Sequence, residues 1–237
     1  MNPSAAHRAG RLAARPVQPT VEPAAPPARG LSVPGLYALG LALRRDALLF
    51  VPAGHDAGRP APLVVMLHGA GGEGERTMAS ARALADEAGV VLLVPPSRGP
   101  TWDVLVGGYG PDVAFVDAAL AAAFARCAVD PARLALGGFS DGASYALSLG
   151  LTNGDLFTHV IAYAPGFMAP ASQAGAPRCY VAHGTRDAVL PIDRCSRRIV
   201  PQLRRAGYDV TYHEFDGPHV VPPEVARESY AWLAGGA

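Results

Sequence analysis

Apolar residues recur in short, dense runs along this chain, and the runs alternate with longer stretches of three- and four-residue periodicity. The runs at 36–43, 47–51, 63–67, 90–94, 133–137, 159–164, 179–182 and 209–214 have the length and β-branched content of strands. Most show no polar alternation, as expected of strands covered on both faces. Between them, residues 74–88, 111–127, 141–152, 193–206 and 222–234 read as helices. The second is the clearest, because Val113, Val116, Leu120, Phe124 and Cys127 form one apolar stripe. Strand and helix in alternation predict an α/β fold: a mostly parallel eight-stranded sheet with helices on both faces. The first two runs, split only by Arg44-Arg45-Asp46, read as an antiparallel hairpin.

Residues 1–32 break the pattern. They carry Pro3, Pro16, Pro19, Pro23, Pro26 and Pro27 among Ala and Arg, with no apolar run. They read as a disordered or linker segment ahead of a single catalytic-size domain at 33–237. The segment lacks the apolar core of roughly 7–15 residues that a secretory signal needs. A cytoplasmic location is therefore the expectation, or secretion if the N-terminus is processed from a longer form. No apolar stretch reaches the length of about 18 residues needed for a membrane span.

Composition narrows the chemistry. The chain of 237 residues is 50% hydrophobic, enough for one sizeable core. It contains no lysine, and its 20 arginines balance 20 carboxylates. A neutral chain has no electrostatic case for nucleic acid. Without lysine, a phosphate-binding Gly-Lys loop and Schiff-base chemistry are both excluded. Cys127, Cys179 and Cys195 are widely spaced and odd in number, so no disulfide framework is indicated, and Cys127 and Cys179 read as buried apolar groups. The histidines show no metal-binding spacing, so no metal site is expected, and the serine chemistry read below implies no cofactor.

One motif carries positive chemical information. Gly138-Phe139-Ser140-Asp141-Gly142 is a G-x-S-x-G sequence between a strand-like run and a helical one. A serine on a sharp strand-to-helix turn is exposed for nucleophilic attack, and glycines flank it because side chains there would clash. A serine hydroxyl needs a base, and the base an orienting acid. Downstream of one strand lies His183-Gly184-Thr185-Arg186-Asp187, and downstream of the next lies Asp216-Gly217-Pro218-His219. Both loops follow the carboxyl ends of strands, where open α/β sheets place working residues. His219 is favoured as the base by position. His68 and His183 read as residues that fix turns. Asp187 is favoured over Asp193 and Asp216, because Asp216 is too close in sequence to reach the far nitrogen of His219. Asp112 reads as a helix-start residue and Asp103 has no assigned role.

The order Ser, Asp, His, together with Leu67-His68-Gly69-Ala70-Gly71-Gly72 after the first long strand, resembles the α/β-hydrolase superfamily over about residues 36–234. The chain looks like its small serine esterases, of the phospholipase/carboxylesterase or polyhydroxybutyrate-depolymerase-like and feruloyl-esterase-like branches. The resemblance implies Ser140 as nucleophile, His219 as general base and Asp187 as its partner. It also implies an oxyanion hole from the backbone N–H groups of Ala70 and Asp141, with Gly71 as a lesser candidate. Asp141 departs from the glutamine usual after the nucleophile. Residues 165–178 leave no room for a large lid domain, so short-chain or aryl esters are the expected substrates. Trp102, Phe139, Phe167 and Met168 are candidates to line the substrate pocket. Peptide, thioester or polyester cleavage on the same residues, and a non-catalytic binding protein of the same shape, are the alternative readings.

Overall fold

The computed structural model describes residues 2–16 and 33–235. Its centre is one eight-stranded sheet of β1 (Gly35–Ala38), β2 (Leu48–Val51), β3 (Ala61–Leu67), β4 (Val91–Val94), β5 (Val129–Phe139), β6 (His159–Tyr163), β7 (Arg178–Gly184) and β8 (Val210–Phe215). The order across the sheet is β1-β2-β4-β3-β5-β6-β7-β8. The β1–β2 hairpin is antiparallel, β2 meets β4 antiparallel, and every later pairing is parallel. The middle strands are buried along nearly their whole length, which explains why they read as continuous apolar runs.

The helices are α1 (Ala5–Arg8), α2 (Gly74–Glu87), α3 (Pro111–Phe124), α4 (Asp141–Thr152), α5 (Ser196–Arg205) and α6 (Pro223–Ala234). They divide the core in two. One cluster, containing Leu49, Val65, Trp102, Val116, Leu120 and Tyr145, lies on the α3–α4 face. The other, containing Met66, Met78, Leu92, Tyr163 and Tyr230, lies under α2 and α6.

Local expectations shift in several places. Asp130-Pro131 lies inside β5 rather than before it: the Asp130 carboxylate accepts from the Ala132 N–H at 2.9 Å, and the β3–β5 register slips there. Cys127 falls beyond the end of α3, though it is buried as expected. The cap of α3 comes from Asp103, whose carboxylate accepts from the N–H groups of Gly110 and Asp112 at 2.8 and 2.9 Å. Asp112 is instead buried and accepts from the Asp103 N–H at 2.7 Å and the Arg98 N–H at 2.5 Å. Two carboxylates therefore organise the 95–110 loop, and burial pushes the Asp112 carboxyl up to about 6.

The expectation of a linker over 1–32 is corrected for residues 2–16, which pack against α3 and α4, while residues 17–32 lie outside the described residues. Leu12 is buried in the larger core cluster. Asn153 brackets it, accepting from the Leu12 N–H at 2.9 Å and donating to the Gly10 carbonyl at 2.7 Å. Asp117 accepts from Ala13 and Ala14, both at 2.8 Å, and Asp155 pairs with Arg11 and Arg15. One leucine and a set of polar partners more than a hundred positions away anchor the strap. Neither leaves a periodic signal in the segment itself.

Among the described residues, no lid covers the sheet between β6 and β7. Ser144, Ser148 and Thr152, four residues apart on one face of α4, accept from the N–H groups of Gly166, Ala169 and Ala171 at 2.9, 2.8 and 3.1 Å. This hydroxyl ladder fastens the connecting loop to the helix. Among the described residues, no helix is long and apolar enough to cross a membrane.

Candidate active site

β5 ends at Phe139 and α4 begins at Asp141, so Ser140 occupies the whole turn. Its backbone has φ 58° and ψ −119°, a left-handed conformation rare for a residue with a side chain. The flanking glycines permit the turn by their lack of a Cβ. A Cβ on Gly138 would stand 2.3 Å from the Gly142 backbone, and one on Gly142 would stand 2.4 Å from the Leu67 carbonyl. The Ser140 N–H donates to the Tyr163 carbonyl at 2.9 Å, which pins the strained residue to the neighbouring strand.

Loops after β7 and β8 bring the partners expected from the sequence. Ser140 Oγ lies 3.0 Å from His219 Nε2, and His219 Nδ1 lies 2.6 Å from Asp187 Oδ2. Asp187 Oδ1 accepts from the Val189 and Leu190 N–H groups at 2.9 and 2.8 Å. Burial pushes the Asp187 carboxyl up, but the Leu190 and Val189 N–H groups and His219 outweigh it, so it titrates below the usual carboxylate range. An ionised Asp187 requires a proton on His219 Nδ1, which leaves Nε2 free to accept from the serine.

His183 reaches the same carboxylate. Its Nε2 donates to the Leu190 carbonyl at 2.8 Å and stands 3.2 Å from Asp187 Oδ2, while Nδ1 accepts from Ser196. Burial pushes its pKa down, so it serves as a neutral brace. Asp216 and Asp193 stand outside the chain of contacts, as exposed partners of Arg186 and Arg197.

Opposite Ser140 runs the loop after β3. A Cβ on Gly69 would touch Ser140 Cβ at 3.4 Å. The Gly71 N–H is engaged, donating to the Pro100 carbonyl at 3.0 Å. The N–H groups of Ala70 and Asp141 have no acceptor among the described residues, and Asp141 begins α4, where the helix dipole favours negative charge.

Three consecutive residues of the 95–110 loop hold these walls together. Pro100 takes the Gly71 N–H, Thr101 Oγ1 donates to the Asp141 carboxylate at 2.6 Å, and Trp102 Nε1 donates to the His68 carbonyl at 2.8 Å. The carboxylate that departs from the usual glutamine is therefore occupied. His68 adds a fourth tie, donating through Nδ1 to Gly69 and accepting through Nε2 from the Ser97 N–H. Both ring nitrogens are committed, and burial pushes its pKa down.

The expected pocket residues separate. Trp102 is fully buried, stacked on Tyr145 at 4.9 Å, and lies outside the main cavity; its indole supports the loop after β3 from behind. Phe167 and Met168 are half-buried on the α4 side, outside the main cavity, and Met168 packs against the larger core cluster. Phe139 does line the cavity, with its ring 4.6 Å from that of His219. That cavity, about 780 Å³, starts at Gly69, Ala70, Phe139 and His219 and continues between α2 and α6. The helix pattern signals both helices but not the space between them. Among the described residues, no three His, Cys, Asp or Glu side chains converge to hold a metal.

No family model matches the chain, and no curated protein matches it in sequence. Solved structures do match in fold, and they define the chain as an α/β-hydrolase-fold protein. Esterase PE8 is 25% identical, with a TM-score of 0.64 over 80% of this chain and 97% of that one. A truncated carbohydrate esterase from gut microbiota is 14% identical, with a TM-score of 0.68 over 88% and 98%. A phospholipase/carboxylesterase from Dyadobacter fermentans is 20% identical, with a TM-score of 0.60 over 79% and 95%. The chain is thus similar to serine esterases of this fold, as its motifs imply.

Proposed function

We propose that the protein hydrolyses carboxylic esters through an acyl-enzyme on Ser140. The observation that carries this reading is the continuous Ser140–His219–Asp187 hydrogen-bonded chain beside two unengaged N–H groups. His219 Nε2 takes the Ser140 proton as Oγ attacks the ester carbonyl carbon. The carbonyl oxygen becomes an oxyanion held by the Ala70 and Asp141 N–H groups. Collapse expels the alcohol oxygen, which leaves with the proton from His219. Water, deprotonated by the same nitrogen, then attacks the acyl carbon and releases the acid and Ser140. Asp187 keeps the imidazole in the required tautomer throughout. The absence of a lid between β6 and β7 supports small esters, aryl esters among them, as substrates that reach the serine directly. Hydrolysis of p-nitrophenyl acetate with a fluorophosphonate adduct mapped to Ser140 is the expected result. Turnover that persists in Ser140→Ala would overturn the reading.

A further inference from the structure

We infer that the cavity between α2 and α6 holds a slim apolar alcohol moiety of the ester; this rests on Ser140 acting as the nucleophile. α2 lines it with Arg76, Thr77, Ser80, Ala81, Leu84 and Glu87, which follow the three- and four-residue steps of one helical stripe. That stripe runs the length of a 14-residue helix, roughly 20 Å at 1.5 Å per residue. α6 faces it with Pro223, Ala226, Arg227 and Tyr230, and the sheet supplies Met66 and Tyr163 as a floor. The Tyr163 hydroxyl is bonded to Ser229, so its ring is what the floor offers. Glu87 and Arg227, exposed and paired at 3.2 Å, line the far end. Apart from the Arg76 guanidinium and the Thr77 and Ser80 hydroxyls on the α2 wall, the groove between its two ends is lined mainly by apolar groups, which suits an unbranched hydrocarbon. The opposed Ala81 and Ala226 leave the space that larger residues would fill.

Position relative to His219 selects which half of the ester enters. The leaving oxygen must reach His219 Nε2 to receive its proton, so the alcohol departs on the His219 side. His219 and its neighbours Val220 and Val221 line the cavity mouth, whereas Ser140 does not. An extended chain advances roughly 1.2 Å per bond, by analogy with the three bonds of an extended residue. An eight-carbon alcohol thus covers about half the groove. Longer alcohols than the short-chain expectation implies are therefore accommodated.

Two ester series on the full chain test this. One keeps acetate fixed and varies the alcohol from methyl to butyl to octyl; the other keeps methanol fixed and varies the acid over the same lengths. Acid release gives kcat/KM for wild type, Ala81→Phe and Ala226→Phe, the two variants filling the groove from opposite walls. The expected result is a rise of up to about fourfold per methylene in the alcohol series alone. Either variant should bring the octyl-to-methyl ratio down to about one. Inhibition of methyl acetate hydrolysis by 1-octanol, but not by methanol, should appear in the wild type, so the inference does not depend on the variants folding. A flat alcohol series, a chain-length rise confined to the acid series, or a slope unchanged in both folded variants would each overturn the assignment. A wild type that hydrolyses no ester and takes no fluorophosphonate on Ser140 would remove the esterase reading itself, and this inference with it.

Discussion

Replacing Asp187 with asparagine tests the site at its least exposed member. The carboxylate is held from two directions: Oδ1 by the Val189 and Leu190 N–H groups, Oδ2 by His219 Nδ1, with His183 Nε2 3.2 Å away. An asparagine keeps the first pair only if its carbonyl faces them, which turns its NH₂ toward the two histidines. His219 Nδ1 must then accept, its proton moves to Nε2, and Nε2 faces Ser140 as a donor. The base is lost without any change in the shape of the site. A wrong tautomer of this kind costs about 10⁴ in kcat, or roughly 5 kcal/mol of transition-state stabilisation at 1.36 kcal/mol per tenfold. The Asp187 side chain is fully buried and touches no substrate, so KM for p-nitrophenyl acetate should stay within about threefold of wild type, the range of a contact unchanged in the ground state. Steady-state kinetics with a thermal melt as control is the assay. If a folded Asp187→Asn enzyme kept a tenth or more of wild-type kcat, the tautomer argument would fail and Asp187 would not be the orienting group.

Other consequences concern the start of α4, the N-terminal strap and acid stability. Thr101→Val should lower kcat about tenfold with KM little changed, because it frees the Asp141 residue rather than deleting its N–H, whose loss would cost about 10²–10³. Thr101→Ser should restore most of that loss, and failure to do so would show that the methyl packing matters instead. Leu12→Ala should destabilise the chain by about 2 kcal/mol, the low end for a buried leucine at the margin of a core, read by urea unfolding. If residues 2–16 were a free tail, no change would be measured. Burial, with Arg178 adding, pushes the His159 pKa down to about 4, below its unfolded value near 6.5. A depressed histidine gives stability that is fully present above pH 6.5 and fades as pH falls toward 4, since only the unfolded chain binds the proton there. Between pH 7 and 5 this amounts to about 2 kcal/mol. His159→Gln should flatten that part of the unfolding profile, whereas an unchanged slope would place the acid sensitivity elsewhere.

Much of the molecule was legible from one-dimensional pattern because parallel α/β construction buries strands on both faces. That condition makes the runs at 63–67, 90–94 and 159–164 apolar throughout, and the strands observed there end within two residues of the pattern. Ser140 was legible because the turn it occupies forbids a Cβ two residues to either side, so Gly138 and Gly142 had to be glycine. Asp187 and His219 followed from their places just beyond strand ends. Trp102 misled because a large aromatic in a long loop looks the same whether it faces substrate or, as here, supports a backbone carbonyl from within. Asp103, whose position implied no role, caps α3 in place of Asp112, since which carboxylate meets which N–H depends on the path of the loop.

The sequence by itself determined the order of elements, the sharp turn at Ser140 and the residues of its hydrogen-bonded chain, because these depend on local sterics and on a strand's place in the sheet. Tertiary structure alone decided that Leu12 is core, that Pro100, Thr101 and Trp102 tie the loop after β3 to the start of α4, and that α2 and α6 leave a groove beside His219. Each of these is a meeting of segments distant in the chain, set by how far apart packed elements stand and which polar atoms then fall within hydrogen-bond reach.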